Sequence, residues 1–225
     1  MAYNIIPPFQ PNAVMQEFDD FISSVSDSAW YVGKLSWQNN AHRMIGAAGV
    51  AGHDGIVSTD GTSTTNSLYL NTQNTVNVVK LGSGVYTCNW VINIQTLSTA
   101  GNRYILYVGL GDATASEFAN GCYFLYSDNV NSGNWVFKTA AASSRTTQNS
   151  STAVATGWIN LGIMVDATAA NITYFINNVQ IGTAITATIP TATVSPQFMV
   201  ITTAGSAPAM LVDLFYHQHI FTTQR

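Results

Sequence analysis

The stretch Gly157–Ile185, GWINLGIMVDATAANITYFINNVQIGTAI, decides how this chain folds. From Ile159 to Asp166 the apolar Ile159, Leu161, Ile163 and Val165 alternate with Asn160, Gly162, Met164 and Asp166. That period of two marks a strand with one buried face. A second alternating run, Ile172, Tyr174 and Ile176, ends at Asn177-Asn178, and a third, Val179, Ile181, Thr183 and Ile185, begins at once. Asparagine tolerates positive φ better than other residues that carry a Cβ, so the Asn-Asn pair predicts a tight hairpin turn. The product is a three-strand antiparallel meander, whose apolar face requires a second sheet to cover it.

The remaining chain supplies that sheet. Strands are predicted at Ala29–Trp37, Ser67–Asn71, Val76–Leu81, Val85–Gln95, Arg103–Gly109, Gly121–Ser127, Trp135–Thr139, Gln197–Thr202 and Met210–Phe221, separated by turns rich in Gly, Asn, Asp and Ser. The segment AAASSRTTQNSSTAVAT, 140–156, reads as a weak strand plus loop. MQEFDDFISSVSDSAW fits either a short amphipathic helix or an opening strand, and the strand is preferred because everything after it is β. Pro7, Pro8 and Pro11 forbid regular helix in residues 1–16, which read as an extended arm that docks on a neighbour or hangs as a loose terminus. Residues 17–225 read as one domain, with no internal linker or repeat. IGAAGVAGHDG has neither GxxxxGK[ST] nor GxGxxG, so its glycines are read as a loop or strand edge rather than a phosphate cradle.

Composition narrows the function. Of 225 residues, 47% are hydrophobic and only 8% charged, where an average soluble protein has about 25% charged residues. Abundant aromatic and β-branched residues argue against disorder. Seven Lys and Arg and a net charge of -4 provide no basic field, which excludes nucleic-acid binding and electrostatic docking on anionic membranes. The interval between Asp166 and Asp213 carries no charge, yet Thr, Asn and Pro interrupt it too often for a membrane span. MAYNIIPPFQPN lacks the basic start and apolar run of a secretion signal, so none is expected. Cys88 and Cys122 each sit in an alternating run beside core-type residues; two buried thiols are the preferred reading, and a disulfide the other.

The succession DDF, GHDGIV, NRY…YVGLGD, NGCYFLYSD, NSGNW, TGWINLGIMVD, ITYFINNVQIGT, IPT and LVDLFY resembles the concanavalin A-like jelly-roll domains of bacteriophage tail fibres, tail spikes and other virion surface proteins. The resemblance runs from about Phe18 to Phe221, and its most specific piece is Trp158 through Asn177. At Asn178 those domains usually place Gly, and Asn can hold the same turn. The resemblance implies an all-β, two-sheet antiparallel jelly-roll sandwich and a place on a phage particle; it implies no defined binding site.

Chemistry has few candidates. A glycoside hydrolase needs two carboxylates at a fixed separation. The chain has only Glu17 and Glu117 and no E-x-D-x-x-E strand, and Asp112 with Glu117 is the nearest thing to a pair, read as surface solvation. No G-x-S-x-G elbow is present. His217 and His219 share one strand face and could point together at a metal, but with Asp213 they also read as a polar outer face opposite Val212, Leu214, Tyr216 and Ile220, which is preferred. His53-Asp54-Gly55 and Ser58-Thr59-Asp60-Gly61 are acidic turns that Asx chemistry explains without calcium. Glycan recognition needs an aromatic platform beside amides or carboxylates, and Trp135 with Asn131, Asn134 and Asp128 is the best such cluster. Trp135 also reads as a core residue, as do Trp30, Trp37, Trp90 and Trp158.

These readings lead to a non-enzymatic phage virion protein that needs no cofactor and is displayed at the particle surface as a homo-oligomer, expected to be a trimer. Its arm would attach to other virion proteins and its loops would bind a host-surface glycan from a fibre or tail. Capsid decoration is the alternative, and a glycan-degrading enzyme a third class.

Overall fold

The structure is a computed structural model that describes residues 14–19, 37–39, 44–47, 52–53, 56–59, 67–72, 79–206 and 208–222. The described residues form fifteen strands: β1 Val14–Asp19, β2 Trp37–Asn39, β3 Met44–Ala47, β4 Ile56–Thr59, β5 Ser67–Thr72, β6 Gly84–Ile94, β7 Tyr104–Gly111, β8 Gly121–Tyr126, β9 Asn134–Ala141, β10 Ser144–Ala153, β11 Gly157–Val165, β12 Ile172–Ile176, β13 Val179–Ile185, β14 Ser195–Thr202 and β15 Met210–Phe221. One sheet runs β13-β12-β11-β6-β15-β4-β3, with β1 also paired to β15; the other runs β10-β9-β8-β7-β14-β5-β2. Every described pairing is antiparallel. The two-sheet sandwich expected from alternation is the architecture observed.

The meander forms as its spacing predicts. Asn177 and Asn178 both have positive φ, 50° and 64°, the backbone of a type I′ turn. Asn177 also fastens the turn to β11: its N–H donates to Asn160 O at 2.8 Å, and its Oδ1 accepts from Asn160 N–H at 3.0 Å.

Period-two alternation builds the core. On β6, Tyr86, Cys88, Trp90, Ile92 and Ile94 are buried while Val85, Thr87, Asn89, Val91 and Asn93 are half-buried on the other face. Leu161, Ile163, Val165, Ile172 and Tyr174 join them from the meander. The facing sheet contributes Leu106, Val108, Phe124, Phe137, Phe198 and Val200. Trp90 packs on Phe215 at 4.5 Å between ring centroids, and Tyr174 stacks on Phe137 at 5.0 Å. The Tyr174 hydroxyl donates to Lys138 O at 2.6 Å, tying the two sheets by a hydrogen bond inside an apolar layer. Cys88 and Cys122 are free and fully buried in the same layer. Burial pushes the Cys88 thiol up to about 12, so it is an inert thiol.

Four expectations need adjustment. Residues 140–156 hold a full ten-residue strand, β10, joined to β9 by a tight turn at Ala142 and Ser143, both with positive φ. Its Ser, Thr, Asn and Gln side chains carry no apolar alternation, and pairing with β9 shapes it instead. Val14 to Gln16, assigned to the arm, already belong to β1, and the rest of the arm lies outside the described residues. The Ala29–Trp37 strand falls mostly outside them too, with Trp37 opening β2, and of Val76–Leu81 the described half, 79–81, makes only an isolated bridge from Val79 to Val194 before turning at Leu81. Finally, His217 and His219 do not lie on an outer face. The β6–β15 register slips at Asp213, between Val212 opposite Ile92 and Leu214 opposite Val91. One inserted residue reverses the parity of everything after it, so Phe215, His217, His219 and Phe221 all point inward and are buried.

The turn gives a direct test. Replacing Asn178 with Gly should leave urea stability unchanged or raise it slightly, whereas Asn178→Val should lower it by about 1–2 kcal/mol, because a β-branched residue resists positive φ.

Candidate functional site

On the outer side of the second sheet, the part built from β9, β8, β7 and β14 is buried. Tyr107, Tyr123, Leu125, Val136, Ala140 and Met199 form a second apolar cluster there, none more than 4% exposed. Phe118, from the loop between β7 and β8, closes over it, with ring centroids 5.6 Å from Tyr107 and 4.9 Å from Tyr123. A Cβ on Gly111 would come within 2.4 Å of the Phe118 ring, so only glycine admits the ring at that place.

The loop carrying Phe118 is held by its acids. Asp112 accepts from Ala119 N–H at 2.9 Å and Asn120 Nδ2 at 2.8 Å. Glu117 accepts from Lys138 Nζ at 2.6 Å and from the Tyr123 hydroxyl at 3.0 Å, with Arg145 Nε 3.5 Å away. Burial pulls the Glu117 pKa up, but the Lys138 hydrogen bond and charge, with Tyr123 and Arg145, outweigh it and keep the carboxylate below its ordinary value. A carboxylate held ionised by two cations is a poor proton donor. Asp112 and Glu117 are therefore loop anchors rather than an acid and its partner.

The cluster read around Trp135 comes apart in the same way. Trp135 is fully buried between Phe124 and Tyr126, the core reading of the two. Asn131 Nδ2 donates to Trp135 O at 3.1 Å and Ser150 O at 2.7 Å, pinning a 3-10 turn, and Asn134 opens β9. Asp128 forms a two-pronged pair with Arg103, accepting from Nε at Oδ1 (2.9 Å) and from Nη2 at Oδ2 (3.0 Å), and accepts from Ser98 Oγ at 2.6 Å. The Arg103 hydrogen bonds, opposed by partial desolvation, hold its pKa at about 2. His217 and His219 meet Tyr86: the Tyr86 hydroxyl lies 3.0 Å from His217 Nδ1, and His219 stacks on Phe221 at 4.0 Å. Among the described residues no three His, Cys, Asp or Glu side chains converge as a metal site. Asp54 and Asp60 of the acidic turns lie outside the described residues.

A different cluster stands on the outer face of the other sheet. His53 lies flat on Trp158, ring centroids 3.7 Å apart and planes 12° from parallel. Its Nδ1 is 2.6 Å from Asp213 Oδ2, with the two side chains 22% and 14% exposed. Trp158 sits opposite Asn93 on β6. An indole, an imidazole, a carboxylate and an amide thus meet at one end of the sheet, partly exposed, the groups that stack on and hydrogen-bond to a polar ligand. Trp158 was expected in the core. The alternation that points Leu161, Ile163 and Val165 inward puts it on the outer face, and that parity was the available signal. His53 and Asp213 are 160 positions apart, and no spacing rule pairs them.

The fold defines the class, a concanavalin A-like jelly-roll sandwich. Residues 52–214 match the family described as SO2946-like, C-terminal domain, and the chain belongs to that family. Among solved structures it is similar to an endo-1,3-beta-glucanase from Streptomyces sioyaensis, with 12% identity, a TM-score of 0.59, and 94% of this chain and 98% of that one covered. It is also similar to peanut lectin (8% identity, TM-score 0.56, 94% and 100% covered). A third is the CBM2 module of the evolved Dit of Lactobacillus casei BL23 phage J-1 (12% identity, TM-score 0.52, 96% and 100% covered). At these identities the likeness is one of fold. No curated protein matches the sequence.

Two outcomes follow. Gly111→Ala should displace Phe118 and cost about 1–3 kcal/mol in urea unfolding, the usual range for overpacking. The Asp128 pKa is depressed from 3.8 to about 2, so its contribution is complete above the unfolded value and is lost as pH falls through about 2. Asp128→Asn should therefore lower the unfolding midpoint at pH 7 and flatten its decline over that acid interval.

Proposed function

We propose that this chain is a non-enzymatic binding module on the surface of a bacteriophage particle, a fibre or tail domain that holds a host-surface glycan at His53, Trp158 and Asp213. One observation carries binding over hydrolysis: each of the five carboxylates in residues 79–206 and 208–222 is already engaged. Asp112 and Asp166 accept from backbone and Asn amides in their own loops. Glu117, Asp128 and Asp213 pair with Lys138, Arg103 and His53. A glycosidase needs one carboxyl free to give a proton and a second free to attack or activate water.

The cluster supplies what sugar recognition uses instead, a flat π surface with an acceptor and a ring nitrogen beside it. The phage assignment is supported by the motif succession from DDF to LVDLFY and by the shared fold of the phage J-1 Dit module. The glucanase of the same fold keeps depolymerisation among the outcomes to be measured.

The test is glycan binding by the full chain on an array of bacterial surface polysaccharides, with immunogold labelling of the particle. Binding should fall at least tenfold, about 1.4 kcal/mol, in both Trp158→Ala and Asp213→Asn, with label on the tail. Silence across the array, depolymerisation of a bound polysaccharide, or label confined to the head would overturn the proposal.

A further inference from the structure

The two sheets differ on their outer sides. On one, β7, β8, β9 and β14 carry a buried apolar cluster that includes Phe118, and the other lies at the surface carrying apolar side chains: Val85, Met164, Phe175, Leu214, Tyr216 and Ile220 all occupy its outward register positions. Of the four exposed large hydrophobic residues among those described, three lie here: Val14 at 52%, Met164 at 37% and Ile220 at 37%. Val14 sits directly opposite Ile220, and Ile220 opposite Val85, so they form one apolar row across three strands.

The face is also uncharged. Gly162 leaves room for the Asn89 amide to lie across β11, since a Cβ there would come within 2.8 Å of Asn89 Oδ1. The described outward positions of β6, β11, β12 and β15 carry no charged residue; Asp213, at the slip in register, is paired to His53.

We infer that this face packs against the same face of a second copy of the chain, sheet on sheet about a two-fold axis. Its size suits the role. Five strands at about 4.8 Å spacing and seven residues at about 3.4 Å give roughly 600 Å² per copy, so a pair buries about 1,200 Å², the lower bound of a standard specific interface. Composition selects the occupant. In an isologous contact each residue near the axis meets its own kind, so a charge there would repel itself, whereas apolar side chains and uncharged amides match themselves. Flat apolar sheets stack about 10 Å apart with side chains interleaved. The contact lies away from His53, Trp158 and Asp213, which occupy the end of the face beyond Val91, so both halves of the pair keep that cluster at the rim.

Sedimentation equilibrium of the full chain tests this, with Met164→Glu and Ile220→Glu against Val179→Glu as control. Val179 is 62% exposed but pairs with inward-facing Ile176, so it lies off the outer face. The unmodified chain should reach twice the mass of one 24.1 kDa chain. The double face variant should return to one chain, with the dissociation constant raised about 100-fold or more, the effect of like charges placed in contact. The control should stay paired. Circular dichroism and the urea midpoint verify that the variants fold. Should the face variants unfold, labelling of Met164→Cys replaces them: with Cys88 and Cys122 buried, only the new thiol reacts, and pairing should slow it at least tenfold at high protein concentration. A monomer at all concentrations, a trimer, a pair that survives the face variants, a pair lost only in the control, or Met164→Cys labelling independent of concentration would each overturn the inference.

Discussion

The antiparallel pairing of β6 with β15, broken once at Asp213, is the constraint on which the rest of the molecule hangs. Eleven residues of β6 find partners on β15, and the opposite edge of β6 carries the whole meander. Had the register run unbroken, the two histidines would have lain on the face opposite Val212, since 212, 214 and 216 share one face in simple alternation. The extra residue lets β15 bury Met210 and Val212 before the slip and Phe215, His217 and His219 after it. It also places Asp213 where His53 can reach it at the surface. One local irregularity thus settles the interior of one half of the sandwich and the polar cluster on its exterior. Bulges commonly sit where a side chain must be re-aimed.

Scarcity of charge works through the same economy of position. The described charges are spent on loops: Glu117 with Lys138 and Arg145 fixes the Phe118 loop, and Asp128 with Arg103 ties the segment after β8 to the segment before β7. Few are left to guard sheet edges, where exposed strands invite pairing with other chains. Geometry guards them instead. Both β10 and β13 shift register against their neighbours, and Gly182 on β13 takes a positive φ of 71°. Shifted, twisted edges make poor templates for another strand.

Strands and turns were legible because their signals are local. Leu161, Ile163 and Val165 announce an inward face within five residues, and Asn177-Asn178 announces its turn in two. β10 was harder to read, since TTQNSST owes its extended form to hydrogen bonds with β9 and not to any apolar period. The candidate site was least legible. Trp135 and Trp158 are both indoles beside Asn residues in the sequence, and which of them is buried depends on strand parity and on what lies across the sandwich. The pairing of His53 with Asp213 depends on topology that joins distant segments, and the inserted residue that permits it has no local mark beyond Val-Asp-Leu.

The contrast between the outer faces carries the last step. In a two-layer sandwich each sheet has one face the core cannot cover, and an uncovered apolar face is costly in water. Here one buries its central apolar cluster, with Phe118 folded back over Tyr107 and Tyr123, and its loop is anchored too firmly to serve as an opening groove. The other has no such cover among its described neighbours and leaves Met164 and Ile220 in solvent. A ligand seeking stacking and hydrogen bonds finds them only where that second face changes character, at Trp158 and Asp213, while the apolar remainder suits a protein surface of its own kind. The proposed recognition and assembly can therefore share one sheet without competing, because the register slip at Asp213 puts polar groups at one end of β15 and leaves outward Tyr216, Gln218 and Ile220 at the other.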